Sequence, residues 1–294
     1  KCSFENNQFV NNAYPPSPDG GGSGIWIAND GKRDDNKDKL LTFEECLWYG
    51  NSVKDTSSLK YGGGFALGTS QTTKQTKLEF KACRFIENYA PERGGALYLC
   101  TSLPVTISRC LFDGNEASDG ASIYTESTSN VTIEYTQIVR SKASTNGAAY
   151  IKSNDHLQML NVTFSENSGP TATSLHLDNE GIANIDNCNF DFSRGSNQYQ
   201  IRLNGESSSA SITFRMGCFI HSGDDNGNTH IYSTHKGTVN LPAGNCFDTS
   251  QNIAINNQGG SISTGSGIFD CHKCGSIYIP TIAPDSTPSA SHAP

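Results

Sequence analysis

Two stretches of this 294-residue chain carry residue types that could do chemistry. In "HSGDDNGNTH", Asp224, Asp225, Asn226 and Asn228 crowd a Gly-containing turn. Clustered oxygen donors suit Ca2+, and a carboxylate pair suits acid–base cleavage of a glycan. Acidic turns of this kind are also commonplace solvent-facing connections. We take that as the reading, and these four residues stand only as metal candidates. The second stretch, Cys271-His272-Lys273-Cys274, has the spacing of half a zinc site or of a redox pair. It lacks a second Cys-x-x-Cys and any βαβ context, so a structural disulfide is expected. His221, His230 and His235 share no ligand spacing, and no metal role is expected for them. Asp30, Asp34, Asp35 and Asp38 alternate with Lys32, Arg33, Lys37 and Lys39, as in a solvated loop. No catalytic residue and no cofactor is assigned.

The remaining chemistry-bearing residues recur. A frame of apolar, x, apolar, x, x, Cys, x, aromatic, x, x, Asn fits Leu41, Phe43, Cys46, Trp48 and Asn51. It fits again at Leu78, Phe80, Cys83, Phe85 and Asn88, and at Val105, Ile107, Cys110, Phe112 and Asn115. Copies without the cysteine follow at Val131, Ile133, Thr136, Ile138, Ser141 and at Leu157, Met159, Val162, Phe164, Asn167. Partial copies hold Cys2, Phe4, Asn7 and Ile185, Cys188, Phe190, Ser193. Successive cysteine-equivalent positions 2, 46, 83, 110, 136, 162 and 188 lie 44, 37, 27, 26, 26 and 26 residues apart. A self-similar period near 26 marks a solenoid.

Apolar residues alternate with polar ones in short runs, which is a strand signature, and no segment sustains a 3.6-residue period. Each copy holds a strand before the cysteine, one through Cys-x-Phe and a third such as "ALYL". Three short strands per repeat describe a coil of an all-β, single-stranded parallel β-helix, with about nine to ten coils over residues 1–280. The long early spacings mark insertions at about 13–39 and 68–77. Past Gly205 the frame weakens, with a one-residue slip near Gly217. Residues 281–294 are rich in Pro, Ser and Thr and read as an extended tail, with Thr281, Ser286, Thr287, Ser289 and Ser291 as O-glycosylation candidates.

Stacking the coils gives the positions jobs. The apolar frame residues should line the interior, and Asn7, Asn51, Asn88, Asn115 and Asn167 should form a ladder where the chain turns, since Asn tolerates the left-handed conformation. Gly63-Gly64, Gly94-Gly95 and Gly147-Ala148 should mark another, crowded corner. Cys2, Cys46, Cys83 and Cys110 share one ladder position, so adjacent coils could join them as disulfides or leave them as buried thiols. Cys218, Cys246, Cys271 and Cys274 are further disulfide candidates.

Ten cysteines and two acceptor sequons, at Asn130 and Asn161, point to secretion or display at a cell surface. A net charge of −8 without a basic block disfavours nucleic acid and anionic membrane as partners. No run approaches the roughly 20 apolar residues of a membrane span. The start, "KCSFENNQF", has no signal-peptide pattern and is expected to belong to a mature or trimmed chain, or to a piece of a longer one.

The pairing of Phe-x-x-Asn with Gly-Gly-Ala in "CRFIENYAPERGGALYL" resembles the repeats of polymorphic outer membrane proteins and related right-handed β-helix surface proteins. The resemblance covers about residues 1–180 well and 180–280 loosely. It implies a right-handed coil and a stalk or adhesive surface, with no shared active site. The expected function is therefore a non-catalytic structural or adhesive module of an extracellular assembly, partnered by itself, by neighbouring modules and by covalent glycans. The alternatives are a polysaccharide lyase or glycoside hydrolase on the same scaffold, and a glycan-binding module using aromatics such as Trp26 or Tyr98. The row of outward carboxylates and basic residues that an enzyme would need is not visible in the frame.

Overall fold

Apolar residues two places apart, as in Leu78 and Phe80 or Val105 and Ile107, face one side only when the backbone is extended. In the computed structural model both pairs lie in strands, Thr76–Lys81 and Val105–Ser108. The structure describes residues 1–9, 25–29, 39–53, 61–69, 76–191, 199–220, 229–247, 255–265 and 269–270. The strand pairs between coils are parallel, and residues one repeat apart fall opposite each other. Leu78, Val105, Val131 and Leu157 form one such column; Phe80, Ile107, Ile133 and Met159 form the next.

Three walls result. The Cys-x-Phe strands make a ladder of ten, running from Cys2–Glu5 to Phe269–Asp270. The "ALYL" strands and the strands before the cysteine belong to a single 16-stranded sheet. They merge because Ile123–Glu134 and Ala149–Leu160 pass from one wall to the other without a break. Short ladders the repeat frame did not reveal pair Gln8–Phe9 with Ser52–Val53 and Glu116–Asp119 with Lys142–Asn146. Within the stretch read as a first-coil insertion, Ile25–Asn29 is a strand of the second wall, paired with Phe65–Thr69. The tail at 281–294 lies outside the described residues. No helix among the described residues is long and apolar enough to cross a membrane.

The core is a stack of rings and aliphatic columns. Trp48 lies on Phe85 at 4.4 Å and Phe85 on Phe112 at 4.7 Å, with near-parallel planes. Ile138 interrupts the stack, which resumes through Phe164, Phe190, Phe219 and Phe247. All of these are fully or almost fully buried.

Corners explain the frame's spacing and correct one expectation. The residue in the left-handed region is the one before the ladder Asn: Gly50, Glu87, Gly114, Arg140 and Glu166. A second set stands just before the cysteine position: Glu45, Ala82, Arg109, Tyr135, Asn161, Asn187 and Met216. The Asn residues have a different task, because their side chains replace backbone pairing inside the turn. Asn51 Oδ1 accepts from the Asn7 N–H and Nδ2 at 3.1 and 2.9 Å, and Asn88 Oδ1 from those of Asn51 at 3.1 and 3.0 Å. Asn115 Oδ1 repeats the pattern with Asn88. The Nδ2 of Asn51, Asn88, Asn115 and Asn167 also donates to a carbonyl of an earlier coil, as Asn88 does to Trp48 O at 3.1 Å. Where Ser141 takes the ladder place, its shorter side chain meets Ser122 Oγ at 2.7 Å, and Asn115 Nδ2 reaches the same Ser122. The third corner is tight: a Cβ on Gly95 would sit 2.3 Å from Glu116 O and 2.5 Å from Ala121 O, so no side chain fits.

Asn88→Ala strips partners from the buried Asn51 N–H and Trp48 O, while Asn115 Oδ1 keeps the backbone N–H of residue 88. Each orphaned group costs on the order of 1–3 kcal/mol, so a loss of at least about 2 kcal/mol is expected in denaturant unfolding. Glu87→Gly, at the adjacent left-handed residue, is expected to move stability the other way by about 1 kcal/mol.

Candidate functional site

Alternation that sends Leu97 and Leu99 into the core leaves Tyr98 on the outer side of the second wall. The same place in the following coils holds Tyr124, Tyr150, His176, Arg202 and Tyr232, all in register. In the coil before, the column has Ala66, with Trp26 as its register partner one rung earlier. Tyr61 comes from the preceding corner and lies flat on Tyr98 at 4.7 Å beside that alanine. The stack runs Tyr61, Tyr98, Tyr124, Tyr150 and His176, with centroids 4.7 to 5.6 Å apart. Arg93 bridges it, its guanidinium carbon 5.6 Å from the Tyr61 ring and 4.9 Å from the Tyr124 ring, and it pairs with Glu126 at 3.2 Å.

The surroundings of this wall keep its tyrosines and His176 neutral. Burial raises the Tyr98 and Tyr124 phenols well above their ordinary range and pushes Tyr150 up to about 12. Burial, with Arg202 nearby, lowers His176 to about 3, so its ring is an uncharged partner of Asn204 Nδ2 at 2.8 Å. Tyr98 and Tyr124 are only 3 % and 4 % exposed, because their faces are covered by one another. A sugar stacks on an open ring face, and these faces are closed. The 26-residue spacing of positions 98, 124, 150, 176 and 202 was visible in the sequence and could have found this column.

Several carboxylates of the outer surface pair with cations, most of them from other coils. Asp113 pairs with Arg140, Asp186 with Arg215 at 3.0 Å, and Glu206 with Lys236. Glu79 sits between Lys77 at 2.6 Å and Lys81 at 2.7 Å, whose hydrogen bonds hold its carboxyl below the usual range. A groove beside the short ladder, lined by Tyr89, Pro91, Glu116, Ser118, Lys142 and Ser144, encloses about 220 Å³. That is below the roughly 300 Å³ at which small-molecule sites begin. Among the described residues, no three metal-ligating side chains gather. Asp224, Asp225, Asn226, Asn228, His221, Cys271 and Cys274 lie outside the described residues. His230 and His235 are buried and apart in role: His230 Nδ1 meets Gln200 Oε1 at 2.8 Å, and His235 Nε2 meets Asn179 O at 3.2 Å.

The cysteines divide. Cys2 and Cys46 are joined across the first two rungs with Cα atoms 4.6 Å apart, and Cys218 and Cys246 are also in disulfides. Cys83, Cys110 and Cys188 keep buried thiols. Cys218 and Cys246 fall in register with Asn189, one place past the ladder position, which Gly217 and Asn245 take instead. That is the slip seen in the sequence. Of the sequons, Asn130 is exposed, whereas Asn161 stands at a left-handed corner and accepts from Asn187 Nδ2.

Coils of parallel strands with stacked interior columns define a β-helix solenoid. Residues 1–174 match the family model described as the right handed beta helix region, and the chain belongs to that family. No curated protein and no solved structure matches the chain.

His176 generates a pH test. Its folded value near 3 lies below the unfolded value of 6.5, so the unfolded chain takes up the proton first as pH falls. The stability tied to the neutral ring is complete above about pH 6.5 and drains away toward pH 3, at up to about 1.4 kcal/mol per pH unit. Unfolding free energies measured across that window should fall less steeply for His176→Gln than for the parent.

Proposed function

We propose that this β-helix is a non-catalytic structural or adhesive module of an extracellular or cell-surface assembly, with self-association into stalks or filaments as its mode of work. One observation carries the reading: the outward chemistry of several columns is spent holding one coil to another. The tyrosine stack closes its own ring faces, and Asp113, Glu126, Asp186 and Glu206 pair with cations from neighbouring coils, while inside the tube a disulfide joins the first two rungs. Cross-linking along the axis stiffens a rod against bending and pulling. An enzyme of the same fold instead needs unpaired carboxylates facing a groove. The Cys-x-Phe-x-x-Asn and Gly-Gly-Ala repeats, similar to those of polymorphic outer membrane proteins, support display at a surface. The sequon at the exposed Asn130 supports passage through the secretory pathway, with covalent glycans as its companions.

The test is electron microscopy and sedimentation of the secreted chain over a range of concentrations, run beside an assay for reducing ends released from polysaccharides. Concentration-dependent rods with an axial repeat of about 45 Å, from nine or ten coils at about 4.8 Å, are expected, without glycan cleavage. Dispersed particles that cleave a polysaccharide would overturn the proposal.

A further inference from the structure

Four cysteines stand on four successive rungs of one interior column. Cys2 pairs in register with Cys46; Leu47 pairs with Arg84 and Arg84 with Leu111, so Cys83 and Cys110 follow as the next two rungs. The first two are already joined, at a Cα separation of 4.6 Å, inside the range that disulfides occupy. Cys83 therefore has one cysteine neighbour left, Cys110.

The sulfurs of the second pair are placed like that of Cys46. Cys46 Sγ lies 3.3 Å from Glu44 O, the carbonyl two residues back. Cys83 Sγ lies 3.3 Å from Lys81 O and Cys110 Sγ 3.4 Å from Ser108 O, the equivalent carbonyls. The bonded and unbonded rungs thus place sulfur alike relative to its own strand, and the coil spacing is held by Leu111 N–H donating to Cys83 O at 2.9 Å. Both side chains are wholly buried among core residues, so no water or ligand competes for the sulfurs. The two thiols also feel each other: hydrogen bonding from Cys110 lowers Cys83, while burial raises Cys110.

We propose that Cys83 and Cys110 form a second inter-coil disulfide in the oxidised protein, completing a clamp of two cross-links over four consecutive coils. The bond is made by exchange with the disulfide of an oxidised dithiol carrier. The Cys83 thiolate attacks one carrier sulfur and breaks the carrier's S–S bond; the Cys110 thiolate then displaces the carrier from the mixed disulfide. Two protein thiols are oxidised to one disulfide, and the carrier, reduced by two electrons, takes up their two protons and leaves as a dithiol. Because burial shuts out the carrier once the coils close, the exchange takes place while this segment is still folding. The inference rests on the secretory half of the reading above only for where the carrier is met.

The experiment is refolding of the full chain in a glutathione redox buffer, blocking of remaining thiols under denaturing conditions, and peptide mapping without reduction. A linked peptide pair containing Cys83 and Cys110 is expected beside the Cys2–Cys46 pair, lighter by two hydrogens than the sum of its reduced parts. The thermal midpoint should fall when the bond is reduced, and Cys83→Ala with Cys110→Ala should remove that portion of the redox shift while keeping Cys2–Cys46. Recovery of both Cys83 and Cys110 in blocked form from protein whose Cys2–Cys46 bond is intact would overturn the inference, as would a Cys46–Cys83 link. The mapping needs no variant to fold and no knowledge of the native compartment, so its failure is separate from failure of the surface-module reading.

Discussion

Parallel, in-register hydrogen bonding between coils places each residue about 4.8 Å from its own equivalent, and every column must therefore hold residue types that tolerate copies of themselves. Phe on Phe stacks, Asn on Asn exchanges amide bonds, Cys beside Cys can be joined, and Leu beside Leu packs, as Leu177 does with Leu203. Like charges one above another would repel, so the ionic groups of the outer surface find opposite partners from a neighbouring coil instead. The repetition of sequence is the direct image of this constraint.

Bending an extended chain into a coil sets the second constraint. Left-handed residues just before the cysteine and Asn positions turn the chain, and many of them are not glycine. Each non-glycine costs on the order of 1 kcal/mol and persists because coils on either side hold its neighbours in place. The turn at the Asn position also leaves backbone groups inside the tube, and the buried Asn side chains satisfy them. The corner that strains the backbone and the ladder that satisfies it are therefore one device, repeated along the axis.

A surface built this way has several of its polar columns committed before any partner arrives. The Tyr61 to His176 stack, the Arg93 bridge and the inter-coil ion pairs use their interaction capacity within the protein. That commitment supports the structural role proposed above, and it also gives the acid-sensitive element: a histidine kept neutral by being packed into an aromatic column.

The sequence by itself determined the solenoid, the period and the interior columns, because a residue that must stack on its equivalent returns at a fixed interval. It also marked the Asn, Cys and Gly positions. It misassigned the left-handed residue by one place, since Asn and glycine are only the familiar occupants of that conformation, whereas Glu87 or Arg109 is forced into it by the coils around it. Tertiary structure alone decided which cysteines are joined, how Ser122 makes up for the short Ser141, and why Tyr61 lies beside Ala66 on the tyrosine stack. Those outcomes depend on distances between coils and on side chains arriving from a different corner, and no periodicity along one chain encodes where two separate turns meet.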